Sequence, residues 1–314
     1  MRLRALVLAA LAIGLTGTYA TAAQAAPSTS DLTKQINTLS QKLEDVTESY
    51  NAMNISLQQT IKQEKDLAAS LPGAKAALET ASAQMKTIAA AAYMQGNAGG
   101  ADALLNGPGD LIQRMSYLDQ LSRERQRDIA NYTATTQDYN ARQAALQTAQ
   151  AKQAAQVKAL AGTKKEIQAQ IKVLLAKRKA AYGRSSASPT SYNGPIPSIA
   201  GSAGKAVSYA YSKIGKAYQY AADGPNTFDC SGLTMAAWAA AGKSLPHNAR
   251  EQYYATARIS RSSLRPGDLV FYRSLQHVAI YVGSSTIIAA PQTGELVQKQ
   301  SIDIMTPYGY GRVK

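Results

Sequence analysis

Cysteine occurs once in the 314 residues, at Cys230. That excludes an internal disulfide framework and a multi-cysteine zinc or iron–sulfur site. Large aromatics are scarce and unevenly placed. Phe228, Phe271 and Trp238 are the only Phe and Trp, and 11 of the 18 Tyr also lie after residue 190. Residues 27–183 hold no Phe or Trp and are rich in Ala, Gln, Lys and Leu. A stretch without large core formers makes a poor globule, whereas these four residue types all favour helix. The chain therefore divides into a long helical part and a compact part of roughly 120 residues. Acidic residues are in deficit, 20 against 34 Lys and Arg, for a net charge of +14. No concentrated basic block accompanies that excess, so nucleic acid is not indicated as a partner. Beyond the first 26 residues no apolar run approaches the ~18 residues of a membrane-spanning helix.

The first 26 residues read as a secretory signal peptide. Arg2 and Arg4 precede a short apolar stretch at residues 6–15, and Ala23-Gln24-Ala25 is a small-x-small cleavage signal. The alternative is an uncleaved membrane anchor. No lipobox-type cysteine follows. The expectation is a secreted protein whose remaining net charge suits an anionic surface.

From Leu32 apolar residues alternate spacings of four and three: Leu32, Ile36, Leu39, Leu43, Val46, Tyr50, Met53, Leu57, then Leu67 to Ala92 in the same phase. This is a coiled-coil seam. Pro72-Gly73 should kink or split it. A second seam begins after Asp110 and runs from Leu111 to Leu174, with Gln143, Gln150 and Gln153 among its polar core positions. Residues 95–110, with five Gly and one Pro, join the two arms. An antiparallel hairpin is predicted over residues 27–183. It serves either as a spacer or as a regulatory arm that docks a partner or masks the active site. Residues 184–200, rich in Ser, Pro, Gly and Tyr, read as a flexible linker.

In residues 201–314, a helix is predicted over 203–214. Asp229 caps a second helix that starts at Cys230 and closes at Gly242. A thiol at a helix N-terminus is biased toward the reactive thiolate. Leu269-Val270-Phe271-Tyr272 reads as a strand, and His277 to Gly283 alternates with period two. A helix bearing Cys230 beside a sheet bearing His277 supplies what nucleophilic cysteine chemistry needs. The fold class is α+β: a long helical hairpin followed by a compact domain with its helix packed on an antiparallel sheet.

Several runs carry a family resemblance: Phe228-Asp229-Cys230-Ser231-Gly232-Leu233, Leu245-Pro246, Arg265-Pro266-Gly267-Asp268-Leu269-Val270-Phe271, His277-Val278-Ala279-Ile280-Tyr281-Val282-Gly283 and Ala290-Pro291. In order and spacing they resemble the NlpC-type cell-wall peptidases, a papain-like family. The helical arms are similar to the coiled coils that precede this domain in actinobacterial wall hydrolases. The resemblance implies hydrolysis of peptidoglycan stem peptides, typically between D-glutamate and the diamino acid, with no cofactor and no metal. It implies Cys230 as nucleophile, His277 as base, Tyr218 as a carbonyl-polarising group, and Asp229 and Ser231 as substrate contacts. A membrane division complex of the FtsEX type is the implied partner of the coiled coil. At the position where the family has a polar residue to orient the imidazole, this sequence has Ala289. Gln292, Gln276 or a backbone carbonyl are the candidate replacements, and an ideal two-residue turn at Ser284-Ser285 would set Gln292 opposite His277. Three other readings compete: an inert buried Cys230, a zinc site of Cys230, His247 and His277, and a catalytically weak wall-binding or activator module that keeps the fold.

Overall fold

The computed structural model describes residues 28–94, 111–188 and 191–314. The expected signal peptide and the connection at residues 95–110 lie outside the described residues. Two helices fill the first half: α1 (Thr29–Met94) and α2 (Leu111–Tyr182). Ser28 caps α1, its Oγ accepting from the Asp31 amide at 3.1 Å. The helices run about 100 and 110 Å at ~1.5 Å per residue. They are antiparallel, since Lys177 meets Gln35, Gln156 meets Ser56 and Gln150 meets Glu64. Ile36 and Leu43 bury against Ile167 and Leu174, with Leu39, Val46, Tyr50 and Ile171 packed around them. Some polar positions pair across the two helices, as in the Gln156 to Ser56 bond at 2.9 Å, while Ser40 Oγ, Gln156 Oε1 and Gln170 Oε1 are buried without a partner among the described residues.

The kink expected at Pro72 does not split the helix; α1 runs on through it. Proline removes a single amide hydrogen bond. The seam continues on both sides, with Leu57 and Ala74 buried.

The second half packs α3 (Gly201–Ser212) and α4 (Cys230–Ala240) on one face of a six-stranded antiparallel sheet. Its strands are β3 (Ala257–Ile259), β4 (Leu269–Tyr272), β5 (His277–Gly283), β6 (Thr286–Ala289), β7 (Gln298–Ser301) and β8 (Pro307–Arg312), in spatial order β3-β8-β4-β5-β6-β7. A two-stranded parallel pair, β1 (Ala217–Tyr218) and β2 (Thr227–Phe228), leads into α4. A short helix, α5 (Ala249–Ala255), follows α4. Alternation along β5 divides the side chains: Val278, Ile280 and Val282 join the core under the helices, and Ala279 joins Tyr272, Ile287, Ala289 and Ile302 on the other face.

The hairpin and the domain touch directly. At the base, Arg178 of α2 donates to the carbonyls of Ser185 (3.2 Å) and Gly294 (3.1 Å) and pairs with Glu295 (3.5 Å). Tyr50 of α1 meets the ring of Tyr220 edge-on, centroids 6.4 Å apart. The segment expected to be a flexible linker is tied down in places: Ala187 donates its amide to Gly294, and Tyr192 packs on Tyr211.

Candidate active site

Asp229 organises the N-terminus of α4. Its Oδ1 accepts from the Gly232 amide at 2.7 Å, the expected helix cap. It also receives His247 Nε2 at 2.9 Å. Gly232 is required for that approach. A Cβ there would lie 2.2 Å from the Ala222 carbonyl oxygen and 2.9 Å from His247 Nε2. The ordered Asp229 fixes the position of Cys230, which is fully buried and begins the helix.

His277 begins β5 and is 1% exposed. A nitrogen of His277, the Cys230 sulfur and a Glu44 oxygen all lie within 4.8 Å of one another. Tyr218, on β1 beside the strand that enters α4, is buried in the same core as Cys230. The structure thus gathers Cys230, His277, Tyr218, Asp229 and Ser231 at one place.

It also brings in residues that sequence reasoning did not single out. Glu44, Glu48 and Asn51, one face of α1, enter the site. Glu44 Oε1 hydrogen-bonds His277 Nδ1, and Glu44 Oε2 takes the Arg273 guanidinium. Glu48 accepts from Ser231 Oγ (2.7 Å), the Ala249 amide (2.7 Å) and the Cys230 thiol (3.5 Å). Asn51 donates to Asp229 Oδ2 at 3.0 Å, and Asn248 donates to the Glu48 carbonyl at 2.9 Å. Ser40, Glu44, Thr47, Glu48 and Asn51 are all buried, a polar stripe at helical spacing beside the apolar seam. That stripe was the available signal, but a polar helix face usually means solvent.

The electrostatics reverse one expectation. A helix N-terminus should favour the Cys230 thiolate. Here burial first, then the nearby charges of Glu48, Glu44 and Asp229, push the thiol well above its ordinary value. Burial and the charge of Asp229 likewise push Glu48 up to about 8. Burial lowers His247, but the hydrogen bond to Asp229 together with the charges of Asp229, Glu48 and Asp223 outweighs it, and the net direction is up.

Gln292 does not reach His277. The β5–β6 pairing shifts between Tyr281 and Gly283, so that Ile280 faces Ile288. This one-residue change moves Gln292 out of register with His277. Its Nε2 instead bonds Glu295 at 2.6 Å. His277 Nε2 has no partner among the described residues, and Ala289, on the same sheet face, is fully buried. His247 serves Asp229 and is not joined with Cys230 and His277 in a metal-ligand cluster; the third member of that cluster is Glu44.

Residues 215–309 match the NlpC/P60 family. The C-terminal domain is an NlpC/P60 domain. The chain is 46% identical over 91 residues to the probable endopeptidase p60 of Listeria monocytogenes, 28% of this chain and 19% of that one. It is 39% identical over 129 residues to the probable endopeptidase Cgl2188 of Corynebacterium glutamicum, 38% of this chain and 62% of that one. The crystal structure of the NlpC/p60 domain of the peptidoglycan hydrolase SagA is 33% identical, with a TM-score of 0.34, over 35% of this chain and 98% of that one. The chain spans about a fifth of the length of the Listeria relatives. The match covers residues 215–309, so the residues of α1 that fill the cleft lie outside it.

Proposed function

We propose that this protein is a secreted, wall-associated cysteine endopeptidase of peptidoglycan, held inactive by α1. The carrying observation is the contact of Glu44 with His277 beside Cys230. In the open site, His277 takes the Cys230 proton and the thiolate attacks the scissile carbonyl. The Tyr218 hydroxyl and the Cys230 amide donate to the oxyanion. The amine leaves with the proton from His277, and water then releases the acyl group as a carboxylate. Asp229 and Ser231 contact the substrate. The substrate is a stem peptide cut between D-glutamate and the diamino acid; the relatives' names, which include a peptidoglycan endopeptidase, support that class.

In the closed state none of these steps can start. Glu44 occupies His277 Nδ1, Glu48 occupies Ser231, and Asn51 occupies Asp229. The opener is a partner of the hairpin, in our reading a membrane division complex of the FtsEX type. Exposed Ile112, Met115, Tyr117 and Ile129 near the far end of α2 supply apolar surface for it.

The test replaces Glu44 and Glu48 with Ala in the full chain and follows cleavage of soluble muropeptides by mass spectrometry. Loss of the charge-assisted contacts of Glu44 with His277 and Arg273 costs about 1.5–3 kcal/mol each, so the double variant should gain at least tenfold in rate. An unchanged rate with cleavage detectable would make the hairpin a spacer. No cleavage by the open variant would favour the non-catalytic module, a reading that the unpartnered His277 Nε2 supports.

A further inference from the structure

We propose that Arg273 is a carboxylate receptor in the open cleft, selecting stem peptides with a free carboxylate next to the scissile bond over their carboxamides. This rests on the hydrolase reading above and names what its site selects. Arg273, Ser274 and Leu275, between β4 and β5, all have positive φ (49°, 52° and 73°). Side-chain-bearing residues avoid that region, and a run of three is held only by its surroundings. The run carries the Arg273 side chain to the cleft.

Every side-chain bond that Arg273 makes among the described residues goes to α1. The guanidinium pairs with Glu44, reaches Asp45 Oδ1 at 2.7 Å and donates to the Gln41 carbonyl at 2.8 Å. Its side chain is only 18% exposed. When α1 leaves, three carboxylates leave with it: Glu44, Asp45 and Glu48. The guanidinium then keeps none of those partners, and its donors are free for an incoming carboxylate.

The chemistry of the occupant can be read from what α1 puts there. One carboxylate, that of Glu44, bridges His277 Nδ1 and Arg273. The receptor therefore lies one carboxylate's width from the reacting pair, and the substrate's carboxylate must be close to the scissile carbonyl. A planar guanidinium takes such a group through two parallel N–H donors and gains much less from a neutral amide. A γ-linked D-glutamate carries an α-carboxylate in that neighbourhood, either free or amidated.

The test uses the full chain with Glu44→Ala, Glu48→Ala and Cys230→Ala, which opens the cleft and prevents turnover. Calorimetry compares L-alanyl-γ-D-glutamyl-diaminopimelate with the same peptide amidated at the glutamate α-carboxylate. The acid should bind about ten- to a hundredfold more tightly. Arg273→Gln should erase that preference by weakening the acid and leaving the amide unchanged, while Arg273→Lys keeps part of it. Equal affinity for the two peptides, no binding of either, or a preference that survives Arg273→Gln overturns the proposal. Restoring Cys230 separates the two claims: acid-selective binding without cleavage would remove the hydrolase reading and leave the receptor standing.

Discussion

Cys230 and His277 sit together, yet the thiol is held protonated and the imidazole is engaged elsewhere. Their placement was legible. The Asp-Cys-Ser-Gly run demanded a capped helix start, and the alternation from His277 demanded a strand. Their electrostatic state was not, because Glu44 and Glu48 come from residues about 180 to 230 positions away. Gln292, one of the candidate orienters, is out of place for a local reason. The irregular pairing after Tyr281 displaces Gln292, and nothing in Ser284-Ser285 announces it. A direct prediction concerns the vacant His277 Nε2. Ala289→Asn in the chain opened by Glu44→Ala and Glu48→Ala should raise kcat on a muropeptide by roughly tenfold, the value of one oriented bond of ~1.4 kcal/mol. The larger side chain enters a packed layer with Tyr272 and Ile302, so thermal stability should fall by about 1–3 kcal/mol. Unchanged kcat would mean that His277 needs no side-chain orienter. Cys230→Ser should abolish cleavage and leave the melting temperature within a few degrees.

At the scale of the element, α1 has two faces with different tasks. Ile36 and Leu43 face α2, whereas Glu44, Glu48 and Asn51 face the NlpC/P60 domain. The first face has the heptad signature and was readable; the second is polar and reads like a solvated surface. Its buried carboxyls make closure depend on pH. With α1 free, Glu48 titrates near 4.5; in the closed cleft it is pushed up to about 8. Burial moves Asp45 in the same direction. The closed state therefore binds more protons. Its advantage is fully present below about pH 4.5 and is lost as pH rises toward about 8. Cys230 alkylation by iodoacetamide, measured relative to the open Glu44→Ala/Glu48→Ala chain, should accelerate between pH 5.5 and 8, by at most about tenfold per pH unit for one proton. Glu48→Gln cannot ionise and should flatten that profile. A wild-type ratio independent of pH would remove Glu48 from the closure equilibrium.

For the whole molecule, closure is an intramolecular binding event. The two arms, the Arg178 anchor at Gly294 and the segment through Tyr192 keep the Glu44–Asn51 face beside the cleft. The hairpin-then-domain order was visible in where Phe, Trp and Tyr are missing. The docking of one on the other was not, since no local pattern encodes a contact between a polar stripe and a pocket formed by α4, α5 and β5. Short tethers give effective concentrations in the millimolar range, so even weak polar contacts keep such a site filled. Cutting the tether should then make inhibition depend on concentration. Residues 193–198 are exposed, and a protease site placed there would separate hairpin from domain without touching the cleft. The cut protein should stay inhibited at about 100 µM. It should become active when diluted a thousandfold, because the hairpin must then bind as a separate molecule. Muropeptide cleavage per molecule, followed across that dilution, gives the answer. Full activity immediately after cutting at high concentration would mean that closure depends on strain in the connection. Persistent inhibition at nanomolar concentration would mean that the contacts of Glu44, Glu48 and Asn51 suffice without a tether.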